Sequence, residues 1–103
     1  MKPLHITGPA ETEIREAVAW YRERDPRVAE KFAAEVRQTL QLIEAFPQIG
    51  GRVPAVPDGS VRRLPVHAFP YSIVFVALAD IIEVVAVAHN RRRPDYFITR
   101  IEK

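Results

Sequence analysis

The sequence of 103 residues contains no cysteine, only three lysines and no long apolar run. The absence of cysteine excludes disulfide bonds, thiolate nucleophiles and cysteine metal sites. Because no apolar run reaches the roughly 18 residues that a bilayer requires, no segment is expected to span a membrane. Residues 1–6 also lack the apolar stretch of a secretory signal, so we expect a soluble, cytoplasmic protein.

The motifs of several common active sites are missing as well. There is no glycine-rich phosphate loop and no serine, histidine and aspartate set whose spacing could support a catalytic triad. His5 and His67 are not spaced with a second histidine or a carboxylate as a metal site requires. We therefore expect neither a metal ion nor another cofactor.

The size and charge of the chain predict one domain with a basic C-terminal half. The apolar share of 48% is enough for one modest core, so residues 1–103 are expected to form a single domain. The first 50 residues carry seven basic and eight acidic side chains, whereas residues 51–103 carry eight basic and five acidic ones. This excess is concentrated in the run Arg91-Arg92-Arg93, where an acidic partner or a phosphate could bind.

The N-terminal half predicts a strand followed by a helix hairpin. Leu4 and Ile6 alternate with polar neighbours, which is typical of a short strand with one buried face. Apolar residues recur every three or four positions from Ala10 to Arg24, as in an amphipathic helix whose glutamates at 11 and 13 suit its positive end. Asp25-Pro26 then caps and starts a second helix, which ends at Phe46-Pro47. With almost no connection between them, the two helices are expected to be antiparallel.

The C-terminal half predicts a proline-rich loop and three strands. Residues 47–59 form an ordered loop, and residues 61–66, 71–78 and 81–89 are expected to form an antiparallel meander with a tight turn at Ala79-Asp80. Residues 94–97 begin a short terminal segment, either a helical turn or an edge strand. The fold class is therefore α+β, with the order β-α-α-β-β-β and a helix hairpin packed on a small antiparallel sheet.

Arginines on the first strand of the meander are the first candidate binding residues. Arg62 and Arg63 are adjacent, so their side chains point to opposite faces of the strand. We expect Arg63 to project with the C-terminal basic cluster and Arg62 to cap the sheet edge. An alternative is that both are ordinary edge charges that discourage aggregation.

The end of the last strand brings His89 next to Arg91, Arg92 and Arg93. Nearby positive charge favours a neutral imidazole, the form that can act as a general base, although a histidine at a strand end often only bonds loop backbone groups. The arginines with Tyr96 could bind phosphates and stack on a base, or could bind an acidic protein. They could equally form a solvated strand end.

Three segments of the chain resemble the RelE/ParE toxin superfamily. They are Val61-Arg62-Arg63-Leu64-Pro65, the stretch FPYSIVF at residues 69–75, and the stretch VAVAHNRRRP at residues 85–94, in the predicted order of elements. The resemblance implies the toxin half of a bacterial type II toxin-antitoxin pair, which a cognate antitoxin holds inactive by wrapping a flexible segment around it.

That superfamily contains two activities on one fold, so the fold alone does not choose between them. RelE-like members cut messenger RNA on the ribosome with arginine and lysine side chains that stabilise the phosphate, whereas ParE-like members poison DNA gyrase. The ribonuclease pattern implies an arginine where this chain has Ser72, lysines on the preceding strand, and a C-terminal tyrosine near Phe97. The lysines here are Lys2, Lys31 and Lys103, outside the sheet, and only Arg91 matches cleanly.

The resemblance therefore favours a ParE-like, non-enzymatic toxin whose target is DNA gyrase. The alternatives are a ribosome-dependent endoribonuclease that cuts messenger RNA with a rearranged site, and a module that only binds its antitoxin. A rearranged ribonuclease site would use His89, Arg91, Arg93 and Tyr96.

The expected partner surface follows from the charge and the apolar residues. An apolar groove between the helix hairpin and the sheet, rimmed by arginines, would suit an amphipathic antitoxin helix with acidic flanks, and Trp20 and Phe46 would be anchors if exposed. A toxin-antitoxin hetero-oligomer is a possible assembly. The candidate residues for contact with the target or the antitoxin are Arg62, Arg63, Arg91, Arg92, Arg93, Tyr96 and Phe97.

Overall fold

The computed structural model describes residues 2–53, 56, 59–92 and 96–101, which form one five-stranded sheet with a helix hairpin on one face. The elements run in the order β1 (Leu4–Ile6), α1 (Gly8–Arg24), α2 (Pro26–Ala45), β2 (Gly51–Arg52), β3 (Val61–Pro65), β4 (Tyr71–Ala77), β5 (Ile82–His89) and α3 (Ile98–Ile101). The α+β class predicted from the sequence is confirmed.

The helix hairpin is closed by a single residue between its two helices. Asp25 has an extended backbone, its N–H donates to Tyr21 O at 2.8 Å, and its carboxylate accepts from the Arg27 N–H at 3.0 Å. It therefore ends α1 and caps α2, and Pro26 follows at the first helical position, where a missing N–H costs nothing. The antiparallel hairpin is confirmed, and α1 begins at Gly8, two residues before its predicted start.

The sheet is mixed, because the N-terminal strand joins the predicted antiparallel meander in parallel. Its strand order is β1-β5-β4-β3-β2, and β3, β4 and β5 form the predicted antiparallel meander. The first strand, however, pairs parallel with β5, so that Leu4 lies opposite Ile82. Both helices follow β1 along the chain before the other strands begin, and a connection of that length permits β1 to pair parallel with β5.

A short edge strand lies within the predicted proline-rich loop. Gly51 and Arg52 pair antiparallel with Arg63 and Arg62 as β2. Two exposed residues carry no periodicity, so no pattern in the sequence indicates this strand. Gly50, just before it, has a φ of 91° and an added Cβ would lie 2.5 Å from Arg63 O, so this close approach requires glycine.

A bulge in β5 explains its run of successive apolar residues. Phe75 pairs with Val84 and Val74 pairs with Ala86, which leaves Val85 as an extra residue. Such a bulge sends two consecutive side chains to the same face, and here Val85 and Ala86 both join the cluster opposite the helices. At the bulge, Val85 O accepts from a side chain, and beyond it the Val87 N–H donates to another; both groups lie outside the ladder with β1.

The two faces of the sheet bury two separate apolar clusters. We call the face under the hairpin the helix face; its core includes Phe32, Ile43, Ile73 and Phe75. We call the opposite face the tail face, because the C-terminal segment, residues 96–101, packs on it. Its cluster is formed by Val53, Val61, Val74, Val76, Val85, Ala86 and Phe97.

The C-terminal segment ends in one helical turn, α3, which is one of the two forms expected for it. Asp95 and Pro94, where that segment was predicted to begin, lie outside the described residues. In the described part of the chain, no helix combines the length and the apolar character needed to cross a membrane.

Candidate functional site

A cavity of about 190 Å³ opens on the tail face between the ends of β3, β4 and β5 and the C-terminal segment. We call it the Arg63 pocket. Val53, Val74 and Phe97 of the tail-face cluster supply most of its apolar lining. The lining residues are Val53, Arg63, Ser72, Val74, Ala88, His89, Asn90, Arg92, Tyr96 and Phe97.

Three polar side chains in the pocket bond to one another. The Ser72 hydroxyl donates to Asn90 Oδ1 at 2.7 Å, and Arg63 Nη2 donates to that same oxygen at 3.3 Å and to Ser72 Oγ at 3.4 Å. The pairing of β3 with β4 brings Arg63 opposite Val74, and Asn90 is fixed by its N–H bond to Pro70 O. These contacts occupy the amide oxygen and the hydroxyl, so the polar groups left over are mainly N–H donors.

A second polar cluster joins helix α1 to the C-terminal segment. We call it the Glu13 network: Glu13, Arg92, Tyr96 and Arg100. The Glu13 side chain is buried, and its carboxylate accepts from the Tyr96 hydroxyl at 2.8 Å, from Arg100 Nη1 at 3.0 Å and from Arg92 Nη1 at 3.4 Å. The Arg92 guanidinium also lies 3.7 Å from the centre of the Tyr96 ring. These contacts hold one wall of the pocket in place.

The Glu13 network also bonds to the backbone edge that β1 leaves uncovered. The Val87 N–H donates to Glu13 Oε1 at 3.0 Å, and Arg100 Nη1 donates to Val85 O at 2.9 Å. Two side chains thus replace the strand that would otherwise continue the ladder along β5. This satisfies backbone groups that would be costly to leave unpaired next to the core.

Burial and Glu13 raise the pKa of Tyr96 well above its ordinary value. Desolvation of the phenol is the largest cause, followed by its hydrogen bond to Glu13 and the charge of that carboxylate. For Arg100, burial alone lowers the pKa, but the bond and charge of Glu13 outweigh it and raise the pKa overall. Tyr96 therefore stays protonated at neutral pH and acts as a hydrogen-bond donor, not as a base.

His89 is placed against an aromatic ring and a backbone donor. Its Nδ1 accepts from the Arg91 N–H at 3.1 Å, and its ring packs edge-on against Tyr71 with centroids 5.2 Å apart. An Nδ1 that accepts a hydrogen bond places the proton of a neutral imidazole on Nε2. Neither ring nitrogen then offers a free lone pair to a substrate hydroxyl.

The structure divides the predicted basic cluster between two faces. Arg63, Arg92, Tyr96 and Phe97 line the Arg63 pocket, with Phe97 buried. Arg62 pairs with Phe75 and shares its helix-face side, where its Nη1 donates to Gly50 O at 3.3 Å near the sheet edge.

The two remaining arginines of the predicted cluster are not in the pocket lining. Arg91 is exposed beyond the end of β5, and Arg93 lies outside the described residues. The residues predicted from the sequence therefore lie on both faces of the sheet, and those on the tail face share a cavity.

The predicted groove between the hairpin and the sheet has a different lining from the one expected. A cavity of about 460 Å³ lies between α2 and β3, lined by Glu35, Gln38, Thr39, Leu42, Leu64, Pro65 and His67. Among the described residues no arginine lines this groove, but Arg92 and Trp20 line a second cavity of about 230 Å³ between α1 and the sheet. His67 Nδ1 lies 3.7 Å from a Glu35 carboxylate oxygen at the groove beside α2. His5 is not part of it, and its Nδ1 lies 3.6 Å from a Glu83 carboxylate oxygen.

The two proposed aromatic anchors are exposed but far apart. The side chains of Trp20 and Phe46 are 50% and 61% exposed, and Arg24 covers one face of the Trp20 ring at 3.5 Å. Trp20 lies near the hairpin turn and Phe46 at the far end of α2, about 30 Å away along that helix. One short partner segment therefore cannot use both as neighbouring anchors.

Sequence reasoning missed Glu13, Ser72, Asn90 and Arg100 as members of the site. For Glu13 a signal was present, because it lies between Ala10 and Ala17 on the buried stripe of α1. An acidic residue at a core position of a helix needs a buried partner. Assigning Glu13 to the positive end of the helix was therefore incomplete. Ser72 and Asn90 carry no comparable signal.

Comparison with known proteins identifies the family of the chain. Residues 4–94 match the family described as "ParE toxin of type II toxin-antitoxin system, parDE". The fold is similar to a solved structure described as "Chromosomal ParDE TA system from P. aeruginosa", with a TM-score of 0.75, 22% identity and coverage of 86% of this chain and 96% of that one. No curated protein matches the sequence. Since the match covers most of its length, this chain belongs to the ParE toxin family of type II toxin-antitoxin systems.

Proposed function

We propose that this protein is a toxin that inhibits DNA gyrase without enzymatic activity of its own and is neutralised by a cognate antitoxin. The observation that carries the proposal is Ser72. It occupies the position where the ribonuclease pattern has a phosphate-binding arginine, it is buried, and its hydroxyl is committed to Asn90. A buried serine cannot supply the positive charge that stabilises a phosphorane-like transition state.

The other residues of the rearranged ribonuclease site are also engaged in structural contacts. The Tyr96 hydroxyl donates to Glu13, and His89 Nδ1 accepts from the Arg91 N–H. The loss of one transition-state contact typically lowers a rate about 100- to 1000-fold, so a site lacking several such contacts is a poor nuclease. These contacts support the gyrase proposal over RNA cleavage.

Neutralisation by an antitoxin is supported by the surfaces that remain exposed. The groove beside α2 presents Leu42, which is 43% exposed, and the Arg63 pocket presents donor groups. An amphipathic segment with acidic residues would match both surfaces. We propose that the antitoxin covers them in a hetero-oligomer.

The direct test measures supercoiling by purified bacterial gyrase in the presence of the purified toxin. We expect inhibition with accumulation of cleaved DNA, and we expect Arg91→Glu to weaken it because this exposed arginine would contact an acidic or nucleic-acid surface. The matched control is Arg37→Glu, which makes the same charge change at an exposed position on α2.

Pulse labelling of cells distinguishes the alternatives. A gyrase inhibitor stops thymidine incorporation first after induction, whereas a ribosome-dependent ribonuclease stops methionine incorporation first. Gyrase that supercoils DNA normally at saturating toxin, together with an early stop in protein synthesis, would refute the proposal. Growth that continues normally would instead indicate a module that only binds its antitoxin.

A further inference from the structure

We propose that the Arg63 pocket is a binding site for a single carboxylate of a partner protein. That the antitoxin supplies this carboxylate rests on the proposed function. The preference of the pocket for a carboxylate does not depend on that function.

The donors of the pocket outnumber its free acceptors. Arg63 uses Nη2 for both of its bonds to Ser72 and Asn90, which leaves Nε and Nη1 free of hydrogen bonds within the described part of the chain. Asn90 Oδ1 accepts two hydrogen bonds, so the Asn90 NH₂ group is the part of the amide that can donate to a ligand. A cavity that offers guanidinium and amide N–H groups selects an anion.

The charge of the pocket favours an anion. Arg92 shares the Glu13 carboxylate with Arg100, at 3.4 and 3.0 Å, so one negative charge faces two guanidinium groups there. Arg63 has no acidic partner among the described residues, so a carboxylate of a partner protein could pair with its guanidinium directly.

The size and the lining of the cavity favour a protein side chain or chain end over a nucleotide. A volume of about 190 Å³ corresponds to roughly six water molecules, which is too small for a base and a sugar. Val53, Val74 and Phe97 supply an apolar wall against which the methylene groups of an acidic residue can pack. Planar guanidinium and carboxylate groups also bond in a bidentate way, which fixes orientation as well as charge.

The test is a titration of the isolated, isotope-labelled chain monitored by NMR at the Arg63 Nε–H and the Asn90 side-chain amide. The probes are N-acetyl-glutamate N-methylamide with a blocked C-terminus, N-acetyl-alanine with a free C-terminus, the glutamine analogue as neutral control, and inorganic phosphate. We expect saturable shifts in the millimolar range with the carboxylates and none with the neutral analogue. The tighter of the two carboxylates identifies whether a side chain or a chain terminus is the natural source.

Two variants address the pocket and one serves as control. Arg63→Met removes the charge, and Asn90→Asp keeps the shape but supplies Arg63 with an internal carboxylate; each should weaken carboxylate binding at least about tenfold. Arg62→Met, on the same strand but facing the other side, should bind as the wild type does. The Asn90→Asp result remains informative if Arg63→Met proves unstable.

Three results would overturn the proposal: phosphate binding more tightly than both carboxylates, equal shifts with the neutral analogue, or unchanged carboxylate binding in Asn90→Asp. Because the titration requires neither gyrase nor antitoxin, its failure leaves the proposed toxin activity untouched. Conversely, a toxin that leaves gyrase unaffected does not alter the result at the pocket.

Discussion

The two faces of the sheet are stabilised by different kinds of contact. On the helix face, Phe32, Ile73 and Phe75 are fully buried among other apolar side chains. On the tail face, a smaller apolar cluster borders a polar pocket and the Glu13 network. The helix face therefore supplies most of the hydrophobic stabilisation, and the tail face keeps polar groups available for binding.

The edge of β5 on the side of β1 also has two kinds of contact. Along residues 82–84, β1 closes the edge with a backbone ladder, whereas Val85 and Val87 depend on the side chains of Arg100 and Glu13. The backbone hydrogen bonds of a ladder break only when a whole strand detaches from the sheet. The side-chain hydrogen bonds break when a short segment leaves the protein surface. We infer that the C-terminal segment opens locally more often than β1 does.

Truncation of one phenylalanine on each face is the strongest test of this difference. Phe32→Ala should lower the free energy of unfolding by about 3–5 kcal/mol, because it leaves a cavity under the hairpin. Phe97→Ala should cost only about 1–2 kcal/mol, because its segment can leave the surface without unfolding the core. Urea denaturation measures both values, and equal costs would contradict the distinction between the faces.

Neutralising Glu13 should have a smaller effect that is confined to the β5 edge and the C-terminal segment. Glu13→Gln keeps the shape but removes the charge that Arg92 and Arg100 share, and we expect a loss of about 2 kcal/mol. Amide hydrogen exchange at Val87 should accelerate, since its N–H donates to Glu13. The control is Glu16→Gln on an exposed position of the same helix, expected within about 0.5 kcal/mol of wild type. Unchanged exchange at Val87 would refute the role given to Glu13.

The helix face could be predicted from the sequence because local patterns determine it. The apolar spacing of α1 and α2 and the Asp25-Pro26 junction predict the hairpin, and the turn at Ala79-Asp80 predicts the β4–β5 pairing. The closing bond of that turn, from the Leu78 N–H to Ile81 O, is present at 2.8 Å. Periodicity and capping act over a few residues, so one sequence suffices to identify them.

The tail face could not be predicted in the same way because its contacts join distant residues. Glu13 and Arg100 are 87 positions apart, and the bond from Arg63 to Asn90 spans 27. The bulge at Val85 also changes which backbone groups face the edge, and no residue type marks it. The resemblance to the toxin superfamily located the basic residues, whereas only the fold shows which of them share a cavity.

Alkaline pH provides the finest test of the Glu13 network, through the phenol of Tyr96. Burial and Glu13 raise the pKa of Tyr96. Burial is the main cause of the raised pKa of Tyr21, to which the neighbouring Tyr71 adds, and it is the cause of the raised pKa of Tyr71. A group whose pKa is higher in the folded state stabilises it fully below the ordinary pKa of 10.0, and this stabilisation is lost as the pH rises toward the folded value.

Ultraviolet titration of tyrosinate should therefore show Tyr96 ionising last, and Tyr96→Phe should remove that last step. In Glu13→Gln the step should move to lower pH, because the bond and charge of Glu13 are two of its causes. If Tyr96→Phe instead removed the earliest step, the phenol would not be held by Glu13 in solution, and the C-terminal segment would be detached from the tail face at equilibrium.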